Sequence, residues 1–471
     1  MKMVLKINNN RHIVLRAFQY ITLLVTPVFF SSCEKLLEVK PPVDQLVTSS
    51  IFADSTTAVA AVNGMYSQLY NGAGSGVSIY SYRISLMPAE SADEIAPVQN
   101  TFNDFYNNSL TPANGDVSTL WADSYSNIYI ANSIIDGAQA SSLSVSLKKQ
   151  LTAEALFVRA FCNFYLVNYF GNIPLLTTSN TKENNEAGAS TTEQVYTQII
   201  TDLTNARDAL PKDYSISGGD RTRVNSYVAS ALLARVYLYK GMWAEAEAEA
   251  TTVISQTSLY GMATDPNDVF LANSQEAILQ FYTNVYGYTY FSQTLVPVGT
   301  DAIPSYAIND KLYNAFETGD NRKTKWISSV TVMGSSYRYP YKYKSRTNNN
   351  AEFETAIRLA ELYLIRAEAR AQQNELPSAI SDLEVIRSRA GLGATSATDQ
   401  ASLLLAIEHE RQVELFCEWG HRWLDLKRTN RSTAVIGAEK PTGWQTTDVL
   451  YPIPQTAINT NPKLKQNLGY F

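Results

Sequence analysis

The chain has 471 residues, enough for a large core and, by length alone, for roughly two to four domains. Only 17% of residues are charged, below the usual quarter or so, and a formal charge of −6 without basic runs excludes nucleic acid as a partner class. Three cysteines make no disulfide framework, and Cys162 and Cys417 sit in apolar helical stretches as buried, inert thiols.

Residues 1–32 carry Lys2, Lys6, Arg11 and Arg16 and no acid, then an apolar run from Tyr20 through Phe30. These eleven residues are too few to span a bilayer as a helix but fit the apolar core of a signal peptide. Ser31-Ser32-Cys33 then resembles a bacterial lipobox, with Phe30 where the usual pattern has Leu; in that reading Cys33 becomes the lipidated first residue. Several acyl chains on Cys33 anchor a protein stably where one chain binds only marginally. Loss of the leader takes the formal charge from −6 to −10. Residues 33–50, with Pro41-Pro42, read as a tether to a domain at 51–471.

Helical spacing follows at 55–70, 116–140, 147–170 and 191–210. Between the first two, residues 71–115 are rich in Gly, Ser, Asn and Tyr and hold Tyr80, Tyr82, Phe102, Phe105 and Tyr106. An irregular stretch of this length is usually functional or disordered, and its aromatics argue against disorder. Residues 226–260 place Leu233, Ala234, Tyr237, Gly241, Ala246, Ala250 and Val253 at the positions of a tetratricopeptide repeat. A second irregular region, 261–350, holds Tyr282, Tyr286, Tyr288, Tyr290 and Phe291. Its later segment Tyr337-Arg338-Tyr339-Pro340-Tyr341-Lys342-Tyr343 alternates at period two, and Pro340 assigns it to an edge strand.

Residues 354–391 read as two antiparallel helices. The first, at 354–373, has no Gly or Pro and is rich in Ala, Leu, Glu and Arg; Pro377 opens the second, at 378–390, and Gly391 stops it. Small Ala367 and Ala379 let the two backbones approach, with the same spacing as Ala234 and Ala246 upstream. The expected fold is therefore mostly α: a discontinuous tetratricopeptide-like helix-pair scaffold, mainly at 116–260 and 354–428. A loop-rich ligand-binding lobe with a few short strands, about 71–115 and 261–350, completes it.

Residues 408–428 concentrate charge. A catalytic reading would use these carboxylates with His409 or His421 as acid and base. Glu410, Glu414 and Glu418 instead recur every four residues on one helix face, where like charges need cations, and Arg411, Arg422 and Arg428 are available. With Asp425 they form an expected structural ion network. Metal chemistry is not expected: His409-Glu410 begins a zincin-like string, but Val413 stands where the second His belongs. Gly72-Ala73-Gly74-Ser75-Gly76 lacks the Lys-Ser/Thr ending of a phosphate loop, no G-x-S-x-G elbow occurs, and no cofactor is expected.

Glu410-Arg411, Glu414-Leu415, Glu418, Gly420, Arg422-Trp423 and Asp425-Leu426-Lys427-Arg428 are similar to the ER…EL…EG.RW.DLKR signature of the SusD/RagB family. Further matches in the family's order include Glu154-Ala155…Arg159-Ala160-Phe161, Phe170-Gly171…Pro174-Leu175 and Asp202-Leu203…Leu210-Pro211. Asp320…Arg322, Arg358-Leu359-Ala360-Glu361 and the closing Tyr451-Pro452-Ile453-Pro454…Gln466-Asn467…Gly469-Tyr470 continue them. The resemblance implies a lipid-anchored, surface-exposed outer-membrane protein. It would capture oligosaccharides or another nutrient without catalysis and pass them to a SusC-like TonB-dependent transporter.

Family binding sites are variable loops, so ligand residues come from chemistry instead. A sugar ring offers an apolar C–H face, which a tyrosine ring on a concave site can stack against. Tyr80, Tyr82, Phe102, Tyr106, Tyr282, Tyr286, Tyr288 and Tyr290 are the expected contacts. Arg83, Asp93, Glu94 and Asn103 would supply orienting polar groups. Two rival readings are a helical glycoside hydrolase, which would release product from a bound glycan, and a tetratricopeptide adaptor for proteins, which would lack a tyrosine-lined cleft.

Overall fold

The computed structural model describes residues 48–72, 77–98, 103–283 and 286–470; residues 1–32, Cys33 and Phe102 lie outside them. The chain divides after Ser50, and the architecture belongs to the unit Ile51–Phe471.

Apolar residues at Ala58, Val62, Met65 and Leu69 share one face, and Asp54 accepts from the amides of Thr56 and Thr57, which makes Ser55–Asn71 helix α1. The next segment is more ordered than its composition suggests, because Arg83–Ser91 forms a buried helix, α2, despite Pro88. Ile95–Pro97, strand β1, follows it. Helices α3 (Gly115–Ala140), α4 (Val145–Phe170), α5 (Thr192–Ala209), α6 (Ser226–Lys240) and α7 (Trp243–Ile254) then stack in succession. Asn114, Ser144 and Asn225 cap α3, α4 and α6 with side-chain oxygens, and Gly241 ends α6 at φ 68°, where a side chain would be strained.

Strand β2 (Ala277–Phe281), helix α8 (Tyr290–Leu295) and strands β3 (Tyr306–Ile308), β4 (Ile327–Val332), β5 (Ser335–Pro340) and β6 (Glu354–Arg358) make up the less regular lobe. The pairs are antiparallel ribbons: β1 with β3, β2 with β6, and β4 with β5. Met333 and Gly334 close the β4–β5 hairpin with φ of 51° and 82°, the two positive angles a type I′ turn needs.

The predicted helix at 354–373 starts later. Glu354–Arg358 pairs with Ala277–Phe281, and only Leu359–Gln372 is helix α9. Ala356 and Ile357 are good helix and strand formers respectively, so local preference is weak and the nonlocal ladder decides. Helix α10 runs from Leu376 to Arg389, α11 from Gln400 to Glu414 and α12 from His421 to Arg428. Ala367 and Ala379 are fully buried at the α9–α10 crossing.

The two repeat copies, far apart in sequence, pack directly on one another. Helix α7 lies against α9, Arg370 Nε reaches Glu247 at 2.8 Å, and buried Arg235 of α6 holds Glu361 of α9 at 2.6 Å. The lobe that interrupts them has its own core, built from Leu86, Phe291, Leu295, Trp326, Tyr343 and Phe416. That core fixes the segments on which the aromatic candidates sit.

Candidate functional site

Helix α2 presents Arg83, Leu86, Met87 and Glu90 at spacings of three and four, so one helical face lines a hollow of about 210 Å³. Tyr82, which precedes α2, lies at its edge. The ladder of β3 on β1 brings Tyr306 to the same hollow opposite Pro97. Helix α8 closes it: Phe291 and Leu295 are buried four residues apart, while Tyr290 and Thr294 share the adjoining face and Thr294 lines the hollow.

Aromatic rings continue from this hollow. Tyr82 lies 6.3 Å from Tyr290, Tyr290 lies 6.0 Å from Tyr70, and Tyr70 stacks on Phe281 at 5.6 Å. Burial, then the neighbouring hydroxyls of Tyr286 and Tyr82, push the Tyr290 hydroxyl upward. Tyr286 and Tyr288 stack at 5.9 Å, and Tyr286 is 53% exposed. Tyr70, Phe281 and Tyr282 line a second hollow of about 260 Å³ with Arg223. Tyr282 is also 53% exposed and rests on Phe353 at 4.8 Å.

Several expected contacts lie elsewhere. Tyr80 is fully buried: its hydroxyl shares a 2.6 Å hydrogen bond with Ser124, and its ring packs on Phe161 and Tyr165. It belongs to the core because the short 3-10 turn Ile79–Ser81 rotates it inward, which corrects its assignment as a ligand contact. Asp93 and Glu94 are buried as well and cannot orient a surface ligand. Burial alone would raise the Asp93 carboxyl, but two 2.8 Å bonds from Arg422 hold it below its usual range. Tyr106 faces the Lys440 ammonium, 4.7 Å from its ring centre, and does not line the hollow. Arg83 lines the hollow while paired to Asp116.

Tyr70, Tyr306, Thr294 and Glu90 line the hollows but were not singled out from the sequence. For Glu90 the signal was the 83, 86, 87, 90 periodicity, which Pro88 obscures; Tyr70, Thr294 and Tyr306 reach the hollows from other elements, and no local spacing marks them. Burial pushes the Glu90 carboxyl up to about 8, against smaller opposing effects of a Tyr306 hydrogen bond, Lys440 and Arg83. The folded state therefore keeps a proton up to about pH 8 that the unfolded chain releases near about pH 4.3, so stability falls as pH rises through that window. Glu94, also pushed up to about 8 by burial and Asp93, shares the window. Glu90→Gln is expected to remove about 1–3 kcal/mol of the stability lost between pH 5 and pH 8. Urea melts at both pH values check this, and parallel pH profiles for variant and wild type would refute it.

The charged cluster is arranged differently from the spacing argument. Helix α11 ends at Glu414, so Glu418 lies in a turn rather than on its face. That turn needs positive φ at Cys417, Trp419 and Gly420, and a Cβ on Gly420 would meet the Tyr169 hydroxyl at 2.3 Å. The cations on Glu410, Glu414 and Glu418 come from distant segments. Buried Arg358 contacts Glu276, Glu414 and Glu418 at 2.9, 2.5 and 2.7 Å. Buried Arg322 reaches Glu410 and Glu414 at 2.5 and 2.8 Å, and Lys342 pairs with Glu418. Arg411 and Arg428 pair with Asp425, and Arg422 with Asp93.

Burial would raise the Glu414 carboxyl, but Arg389, Arg358 and Arg322 outweigh it and hold it well below its usual range. His421 is held neutral by burial and by the surrounding cations. Glu317, His409 and Glu410 bring ligand atoms within 4.8 Å of one another. Arg387 and Arg322 already occupy those carboxylates, a guanidinium-filled arrangement rather than a metal donor set.

The family described as “Starch-binding associating with outer membrane” matches residues 35–238, and the SusD family matches residues 273–470, so between them they take in most of the chain. This protein belongs to the SusD/RagB family. SusD-like protein P2 of Formosa agariphila is 27% identical, over 95% of this chain and 98% of its own. A SusD-like protein of Bacteroides ovatus is 24% identical, over 88% and 83%. Among solved structures, a SusD-like protein from Bacteroides fragilis superposes with a TM-score of 0.78 at 22% identity, covering 92% of this chain and all of the other. A protein described as “Laminarin binding SusD-like protein” superposes with a TM-score of 0.74 at 24% identity, covering 88% and 99%. These likenesses establish the mostly helical SusD fold. No helix among the described residues is long and apolar enough to cross a membrane.

Proposed function

We propose that this SusD-like protein binds oligosaccharides or polysaccharide fragments at the hollow edged by Tyr82 and Tyr290, without catalysis. The observation that carries the reading is the pair of half-buried rings Tyr82 and Tyr290 between two hollows, backed by buried Tyr70, with the stacked pair Tyr286 and Tyr288 in the same segment as Tyr290. Flat apolar faces with hydroxyl handles suit the C–H faces of sugar rings, and half-buried Arg83 and Thr294 line the hollow as polar groups that would orient their hydroxyls. Membership of a family described as starch-binding, and a fold shared with a laminarin-binding relative, support a glycan as the ligand class.

Laminarin and starch fragments are the first probes, followed by a glycan array. Capture of one glycan class, with no product released on prolonged incubation, is the expected result. Binding to no glycan would end the proposal, and product release would favour the hydrolase reading.

The delivery step is also part of this reading: a SusC-like TonB-dependent transporter receives the ligand, and a lipid on Cys33 holds the protein at the outer membrane, exposed on the cell surface. The basic leader and Ser31-Ser32-Cys33 support the anchor. Cys33→Ala is expected to move the protein from the membrane fraction to the soluble periplasm. Retention of a correctly processed variant in the membrane fraction would refute the anchor.

A further inference from the structure

A trough of about 280 Å³ lies on the side of the scaffold formed by α9, α11 and α12, lined by none of the residues of the tyrosine-lined hollows. Its volume is near the low end of the about 300–1,000 Å³ typical of small-molecule sites. One wall is apolar: Ala401, Leu404 and Leu405 of α11, with Leu405 53% exposed at the rim. Arg411, two turns further along the same helix and only 2% exposed, closes the inner end, and Glu368, Asp425 and Arg428 of α9 and α12 form the facing wall.

The guanidiniums around this trough are not equally satisfied. Arg428 grips Glu368 with both terminal nitrogens, at 2.6 and 2.7 Å, and gives its Nε to Asp425 at 2.8 Å. Arg431 Nε lies 2.7 Å from Glu408. Arg411 gives only its Nε, to the second oxygen of Asp425 at 2.7 Å. Its Nη1 and Nη2 have no hydrogen-bond partner among the described residues. A buried guanidinium with its terminal donors unused is costly, and two parallel N–H groups fit the two oxygens of a carboxylate. The acids nearby are already ion-paired with Arg428, Arg431 and Arg422; Arg431 leaves one nitrogen, its Nε, without a hydrogen bond, and Arg411 leaves both of its terminal nitrogens.

We propose that this trough binds a short-chain organic carboxylate, taken end-on by Nη1 and Nη2 of Arg411 with its alkyl chain on Ala401, Leu404 and Leu405. The proposal is independent of glycan binding, because the residues that line the two sites differ.

Hexanoate, with hexanamide as the neutral control of the same length, tests it on the purified protein by thermal melting and ligand-observed NMR. A ligand that binds only the folded state raises Tm in proportion to its occupancy. Hexanoate is expected to raise Tm with dose and to show saturation transfer, and hexanamide to do neither. Because Arg411 is buried, its replacement risks unfolding, so the deciding variant is Leu405→Glu at the exposed rim. It places a competing carboxylate beside the trough and is expected to weaken hexanoate at least about tenfold while unliganded Tm stays within about 2 °C of wild type. Equal responses to hexanoate and hexanamide, no response to either, or undiminished hexanoate binding in Leu405→Glu would each overturn the proposal. The first would mean that the apolar wall alone holds the chain, and the second that water alone satisfies Arg411.

Discussion

Arg358→Ala is expected to cost about 3–5 kcal/mol of stability, the range for breaking a buried ion pair from one side. Arg358 contacts three buried carboxylates, from Glu276, Glu414 and Glu418, and its Nη2 also donates to the Glu414 carbonyl at 2.8 Å. Arg389, Arg322 and Lys342 remain nearby but cannot occupy the same position between β6 and the turn after α11. For a chain of this length the loss corresponds to a fall in Tm of roughly 3–6 °C, if the unit unfolds in one step. Arg358→Met keeps much of the bulk and leaves the same carboxylates uncompensated, so it should be nearly as damaging. Calorimetry on both variants checks this. Molecules that still fold should bind glycan as wild type does; unchanged melting with lost binding would instead make the cluster a ligand site.

Tyr82→Ala and Tyr80→Ala should give opposite results although only Ser81 separates them. Tyr82 is half-buried at the hollow beside Tyr290, so its loss should weaken glycan binding by about 2 kcal/mol or more and move Tm by only a few degrees. Tyr290→Ala should weaken binding similarly, with a larger stability cost because Tyr290 also contacts Tyr70. Tyr80→Ala removes a fully buried ring from between Phe161 and Tyr165 and should cost about 3–5 kcal/mol of stability. Its surviving folded fraction should bind normally. Titration calorimetry with the glycan captured by the screen, beside thermal melts, separates the two. Wild-type affinity in both Tyr82→Ala and Tyr290→Ala would move the site away from this hollow.

The sequence by itself determined the helical scaffold. Helix caps, spacing and the small residues Ala234, Ala246, Ala367 and Ala379 act within one or two turns, so the helices are legible close to where they occur. It also placed the aromatic region, because Tyr82, Tyr286 and Tyr290 fall in stretches that interrupt that spacing. The family signature was legible for the same reason, as a string of local motifs in order.

Only the tertiary structure decided what each of those residues faces. Glu354–Arg358 became strand because Ala277–Phe281 was available to pair with it, and a ladder between segments so far apart leaves little mark on either. The partners of Glu414 are Arg322, Arg358 and Arg389, 92, 56 and 25 residues away, while Arg411 and Arg422, nearer in sequence, turn to Asp425 and Asp93. Tyr80 and Tyr82 carry the same side chain in the same stretch. A single 3-10 turn buries one and leaves the other at a hollow, because burial is set by what packs against a ring and not by the ring itself.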